Sequence, residues 1–312
     1  MIKKQGKGDM ATEKHGDTSP LHRFSDSLIC FNRVTILGVG LIGASFALAM
    51  KKYKLCDHIT GNGRSLENLQ KAKEMKIIDS FELDPAKACN DSDLIIFATP
   101  VGSFLEIARK VRSSFKKSAI VTDVGSVKGR LVKDMEALMP EGTYFIGGHP
   151  IAGSSRSGVD TARAEIFMES KCIITPTEKT SKDALDKVVY IWKTFGSIVE
   201  LVNPEEHDRI YAAVSHLPHI IAYAIVNTVG DLDSSYLKFA GQGFIGATRI
   251  ASSSPELWRD ICILNKENLL QTIEIFKNNL ERLSQYLKAS DFKSLEKEFK
   301  KARTLREGIG QN

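Results

Sequence analysis

Three short stretches hold the residues best able to do chemistry. In FIGGHPIAG, residues 145–153, an apolar run ends in two glycines, then His149, a proline and small residues. An imidazole stripped of bulky neighbours is open to close approach by ligand or backbone, which suits general acid–base catalysis or polarisation of a substrate. A satisfied structural histidine is the plainer alternative. In VSHLPH, residues 214–219, Pro218 interrupts a helical pattern, so it should kink the helix and leave the Val214 carbonyl without its N–H partner. Ser215, His216 and His219 are then polar groups at a kink facing a site. A metal pair would lack an Asp, Glu or Cys at ligand spacing, so no metal is expected. In GQGFIGATRIASSSPELWRDI, residues 241–261, Arg249 stands alone among small and apolar residues. That setting suits a guanidinium gripping a carboxylate bidentately, or else a surface ion pair.

Such groups need a scaffold to bring them together. From Arg33 onward the short apolar runs VTILG, HITG, DLIIFATP, AIVTDVG, YFIGGHP and CIITPT alternate with helical patterns. Strands separated by helices imply βαβ units, hence an α/β Rossmann-type dinucleotide-binding domain with a mostly parallel sheet, here expected over residues 31–202. GVGLIGAS, residues 38–45, sits at the first strand-to-helix turn. Gly38 permits the tight turn, Gly40 lets a pyrophosphate approach, Gly43 lets helix and strand pack closely, and the helix start at Leu41 and Ile42 offers N–H groups to phosphate. The second strand ends in Asn62, Gly63, Arg64 and Ser65 with no acid to accept from ribose hydroxyls. Arg64 and Ser65 can hold a 2′-phosphate, which leans the cofactor toward NADP, although Arg64 can instead stack on adenine. Thr99, Pro100, Asp123 and Ser126 end the third and fourth of these runs, at the edge where a doubly wound sheet binds its ligands, and Thr99, Pro100 and Asp123 are expected beside the cofactor.

After Val202 the texture changes. Asn203 as cap, Pro204 at the first helical position and Glu206 three residues after the cap announce a helix, and the chain from there reads as an all-helical domain over residues 203–312. Leu269, Ile273, Phe276, Leu280, Leu283 and Leu287 make an a/d seam, to be closed within the chain or across a two-fold axis in a homodimer. Residues 1–30 are polar, without apolar periodicity, and read as a loose arm. No run of 18 apolar residues and no secretory signal is present, so a cytoplasmic protein without a membrane partner is expected. The five cysteines are scattered and never in ligand spacing, which suits a reducing compartment. The net charge of +5 forms no basic stripe, leaving no case for nucleic acid.

GVGLIGAS, TDVGSVKG, GGHPIAGS, HDRIYAAVSHLPH and TRIASSSPELWRDI occur in an order that resembles the prephenate dehydrogenase family from about residue 33 to about residue 290. The resemblance implies oxidative decarboxylation of prephenate, or of its amino analogue arogenate, with hydride transfer to NAD(P), on the route to tyrosine. It also implies a dimer built through the helical domains. Carried over, His149 matches the histidine that hydrogen-bonds the ring 4-hydroxyl, and Ser126 the serine that positions it and holds its tautomer. Arg249 and His219 match substrate-binding positions, with Ser215 and His216 close by, and Trp258 reaches toward the neighbouring subunit's site. Two departures stand out: the second strand lacks the acidic ribose ligand of NAD-using members, and the stretch after HPIAG, SSRSG, carries no acid, which leaves prephenate against arogenate open. A 3-hydroxyacid dehydrogenase or imine reductase of the same two-domain plan would share the glycine loop but use a Lys or Tyr/Asp proton donor. A non-catalytic NAD-sensing module would not need polar groups at several strand ends.

Overall fold

A computed structural model describes residues 30–153 and 158–309. The expected N-terminal arm, but for Cys30, lies outside the described residues, as does SSRSG except for Gly158. Eight strands form one sheet: β1 (Phe31–Leu37), β2 (Cys56–Asn62), β3 (Ser80–Glu82), β4 (Leu94–Phe97), β5 (Ile120–Asp123), β6 (Tyr144–Pro150), β7 (Lys171–Thr175) and β8 (Ile198–Leu201), in the order β3-β2-β1-β4-β5-β6-β7-β8. All neighbours pair in parallel except β6 and β7. The sheet is thus mostly parallel as expected, but CIITPT runs against its neighbour, and β3 and β8 add strands the sequence did not announce.

Six helices accompany the sheet: α1 (Leu41–Lys52), α2 (Leu66–Glu74), α3 (Pro85–Cys89), α4 (Phe104–Val111), α5 (Gly129–Leu138) and α6 (Lys182–Thr194). Six more make up the helical half: α7 (Pro204–Tyr211), α8 (Leu217–Asp233), α9 (Gln242–Thr248), α10 (Pro255–Leu264), α11 (Lys266–Lys288) and α12 (Phe292–Glu307). The Asn203 side chain caps α7, accepting from the backbone N–H groups of Glu205 and Glu206 at 2.9 and 3.4 Å.

Strand alternation splits the core in two. Val34, Ile36, Leu94 and Ile96 face one layer, in which Phe46, Phe167, Trp192 and Phe195 meet mostly edge to face. Leu37, Ile95 and Phe97 face the other, and there Trp258 and Ile261 of α10 join Val101, Phe104 and Leu131. The helical half is therefore welded to the sheet by a shared apolar cluster beside the carboxyl end of β4.

Beyond that weld the helical half exposes large apolar side chains. Along the predicted seam only Leu269 is buried, whereas Leu280 and Leu287 are 50% and 65% exposed. The helical run Pro204–Phe239 is long and apolar enough to cross a membrane by length and composition, although it carries the buried polar side chains of His207, Asp208 and His216. A π-helical turn, Ala212–His216, joins α7 to α8 and places Pro218 in the first turn of α8, so the expected kink is taken up by one widened turn.

Candidate functional site

Parallel register brings the ends of four strands level: Leu37 pairs with Asn62 and with Phe97, and Phe97 with Asp123. The glycine loop follows β1 at this edge. Gly38 has φ +101°, and a Cβ there would lie 2.6 Å from the Ala98 backbone; one on Gly43 would lie 2.2 Å from the Gly38 carbonyl oxygen. A Cβ on Gly40 would meet nothing within 4 Å. Two glycines are thus demanded by the protein's own packing, while the third borders open space at the start of α1. A dinucleotide pyrophosphate fits that arrangement, with Gly40, Leu41 and Ile42 offering backbone N–H groups.

At the end of β2 the residues divide. Asn62, expected at the cofactor, is buried, and its amide donates to the Glu82 and Leu83 carbonyls at 2.8 and 3.2 Å, which ties the end of β2 to β3. Arg64 and Ser65 are exposed, Ser65 capping α2 by accepting from the Asn68 N–H. Thr99 and Pro100 lead into a short 3-10 turn, where the Ser103 hydroxyl donates to Thr99 Oγ1 at 2.9 Å.

Asp123, expected beside the cofactor, is engaged by the protein itself. Its carboxylate, fully enclosed, accepts from Lys128 Nζ at 2.6 Å and from the N–H groups of Gly125 and Gly148 at 2.8 and 3.0 Å. Burial pushes its pKa up, against the pull of Lys128 and the two N–H donors. Lys128, equally enclosed, also donates to the Gly125 carbonyl, so the pair braces the turn that carries Ser126. The same turn explains the twin glycines of β6. A Cβ on Gly147 would lie 2.3 Å from Thr175 Oγ1, and one on Gly148 2.7 Å from the Asp123 carbonyl oxygen. Of the two expected reasons, ligand or backbone, close approach of the protein itself accounts for both glycines, which seat β6 against β5 and β7.

His149 lies at the end of β6, buried, its Nδ1 2.8 Å from His207 Nε2. His207 in turn places Nδ1 2.8 Å from Asp208 Oδ1. The ring of Tyr211 packs against both imidazoles, with centroids at 4.7 and 4.5 Å. Burial first, then the neighbouring His207, Lys128 and His216, which disfavour a further positive charge, hold His149 well below its ordinary pKa, and burial lowers His207 as well. The partner of His149 Nδ1 among the described residues is therefore His207 of α7.

The residues of VSHLPH gather nearby. His216 is fully enclosed, its Nδ1 3.1 Å from Asn265 Nδ2, its Nε2 unpaired among the described residues, and its pKa pushed down to about 4 chiefly by burial. Ser126 faces this ring through its backbone. His219 Nδ1 donates to the Ser215 carbonyl at 2.9 Å, and its ring stacks on Trp258 at 3.4 Å between centroids. Trp258 thus packs between α8 and the cluster beside β4. Burial lowers His219, and the positive charge of Arg249 adds to the effect. Arg249 itself is exposed and makes no ion pair among the described residues. Four of the seven histidines thus converge where β6, α7, α8 and α10 meet.

His207 and Asp208 are the pair that sequence reasoning missed. They sit in NPEEHD, where the cap signals account for the local pattern, and their partner His149 is 58 residues away. Their place in HDRIYAAVSHLPH, with His207 and Tyr211 one helical turn apart, was the available signal.

Comparison with known proteins agrees with this architecture. The family model described as prephenate dehydrogenase, nucleotide-binding domain, matches residues 46–201, and the prephenate dehydrogenase dimerization domain matches residues 203–301. The chain is 34% identical over 280 residues to prephenate dehydrogenase of Bacillus subtilis (strain 168), covering 88% of this chain and 76% of that one. It is 30% identical to cyclohexadienyl dehydrogenase of Zymomonas mobilis, covering 88% and 95%. A crystal structure of prephenate dehydrogenase from A. aeolicus, in complex with hydroxyphenyl propionate and NAD+, superposes with a TM-score of 0.84 at 37% identity over 89% of this chain and 98% of that one. With both halves matched by the family's two domain models and a relative 34% identical over 88% of the chain, the chain belongs to the prephenate dehydrogenase family.

Proposed function

We propose that the protein oxidises prephenate to 4-hydroxyphenylpyruvate with loss of CO2, His149 accepting the hydrogen bond and then the proton of the ring 4-hydroxyl. The observation that carries this reading is a buried, neutral imidazole at the carboxyl edge of the sheet, its Nδ1 already engaged by His207, so that Nε2 is the nitrogen left for a substrate. Bound NAD(P) supplies the hydride acceptor. As the C–H bond at C4 breaks, positive charge grows at that carbon and the hydroxyl becomes acidic; neutral Nε2 stabilises the change and can hold the proton. Departure of CO2 from the quaternary ring carbon then returns an electron pair to the ring, which becomes aromatic. Arg249, exposed and without an ion pair among the described residues, grips a substrate carboxylate, with His219, His216 and Ser215 as the other substrate-binding residues of this reading.

NADP serves at least as well as NAD, because the end of β2 offers exposed Arg64 and Ser65 and no carboxylate. The working form is a homodimer that covers the apolar faces left open on α8 and α11. The test is NAD(P) reduction by the purified protein on adding prephenate, with arogenate as the parallel arm. Turnover with prephenate supports the reading, turnover with arogenate alone moves the substrate to the amino analogue, and none with either overturns it.

A further inference from the structure

The structure assigns His207 and Asp208 a positioning role: together they fix His149 in the tautomer with the proton on Nδ1 and a bare Nε2. This rests on the reading of His149 as the proton acceptor. The polarity of the relay is set by what each atom can donate. Asp208 is a carboxylate seated at the N-terminus of α5, its Oδ1 accepting from the Lys128 N–H and its Oδ2 from the Gly129 N–H, both at 2.8 Å. Residue 129 has to be glycine for this contact, since a Cβ there would lie 2.6 Å from Asp208 Oδ2. An acceptor held so firmly has no proton to give, so the 2.8 Å contact with His207 is an Nδ1–H donated by the ring. Neutral His207 is then bare at Nε2, and the 2.8 Å contact with His149 is an Nδ1–H donated by His149. The opposite polarity would need a doubly protonated His207, buried and facing Lys128.

Two features make the relay rigid. Tyr211 packs against both rings, and the Asp208 carbonyl accepts from Asn265 Nδ2 at 2.7 Å. His149 comes from the sheet, whereas His207, Asp208 and Asn265 come from the helical half. The acceptor is therefore complete only when the helices are docked, and any proton taken at Nε2 is supported by a line of hydrogen bonds ending on a fixed negative charge.

The test has a spectroscopic arm and a kinetic arm. Protein labelled with 15N at histidine alone is observed by long-range 15N–1H correlation, the His149 signals being identified by their loss in His149→Gln. The expected wild-type pattern has His149 protonated at Nδ1 and bare at Nε2; protonation at Nε2 overturns the proposal whether or not any variant folds. In kinetics, His207→Leu removes the acceptor, and kcat should fall roughly 10- to 100-fold with KM little changed, part of what a positioned acid–base group supplies. His207→Gln keeps a carbonyl oxygen within reach of Nδ1 and should restore most of the loss. A folded His207→Leu enzyme with wild-type kcat, or Leu and Gln variants equally impaired, overturns the role. Wild-type kcat in His149→Gln would instead remove His149 as acceptor while leaving the tautomer measurement intact, so the two failures are distinct.

Discussion

The sheet half and the helical half treat polar and apolar groups in opposite ways. At the carboxyl edge of the sheet, and on α7 where it docks there, ionisable side chains are enclosed and paired: Asp123 with Lys128, and Asp208 with His207 and two backbone N–H groups. On the helices, Val214, Leu232, Phe239, Ile263 and Leu287 are each more than 60% exposed. Burying a charge without partners costs several kcal/mol, so a site made of enclosed charges must be finished within the chain. Exposed apolar faces can be finished by a partner. On the proposed reading the chemistry is prefabricated in each protomer and association is left to the helices, an arrangement with separable failures.

The largest effect should come from attacking the open face. Leu280→Arg puts a charge into the apolar seam, at about 3 kcal/mol or more, and should weaken dimerisation roughly 100-fold or more, read by sedimentation. A wild-type chain that sediments as a well-folded monomer would break the comparison at its root. Next comes Arg249→Ala, which removes a charge-assisted contact of about 1.5 to 3 kcal/mol, so KM for prephenate should rise roughly 10- to 100-fold while kcat changes less. An unchanged KM would make Arg249 structural. Arg64→Ala should then shift kcat/KM toward NAD by about tenfold, and an unmoved ratio would mean that Arg64 points away from the ribose.

The smallest effect concerns acid stability. His216 is held near pKa 4 in the fold against about 6.5 unfolded, and His149, His207 and His219 are lowered too. The unfolded chain therefore takes up protons first as pH falls below about 6.5, and stability present above that value is lost progressively toward pH 4. The melting temperature should drop by a few degrees between pH 7 and pH 5. A flat profile across that window would mean that the enclosed histidines titrate in the fold as they do in the unfolded chain.

What the sequence made legible was local chemistry. GVGLIGAS spells a turn whose glycines are needed within a few residues of one another, and Asn203-Pro204 spells a helix start. Strands β3 and β8 were not legible, because Ser80–Glu82 is three residues long and Ile198–Leu201 exposes both its end residues, so neither shows the alternation that marks a strand. The glycines before His149 read as room for ligand or backbone, and the close neighbours, Thr175 and the Asp123 backbone, are brought there by pairing across the sheet. Asp123 and Asn62 looked available because a sequence shows which groups can bond, not which are already bonded. His207 and Asp208 escaped for a related reason: their partners His149, Lys128 and Gly129 lie 58 to 80 residues away.

The most direct measurement is kcat and KM for prephenate in wild type and His149→Asn, at neutral pH with saturating NAD(P). A neutral acceptor at the strand end predicts that kcat falls roughly 10²- to 10⁴-fold in the variant, with KM changed little. A folded His149→Asn enzyme turning over at the wild-type rate would contradict it.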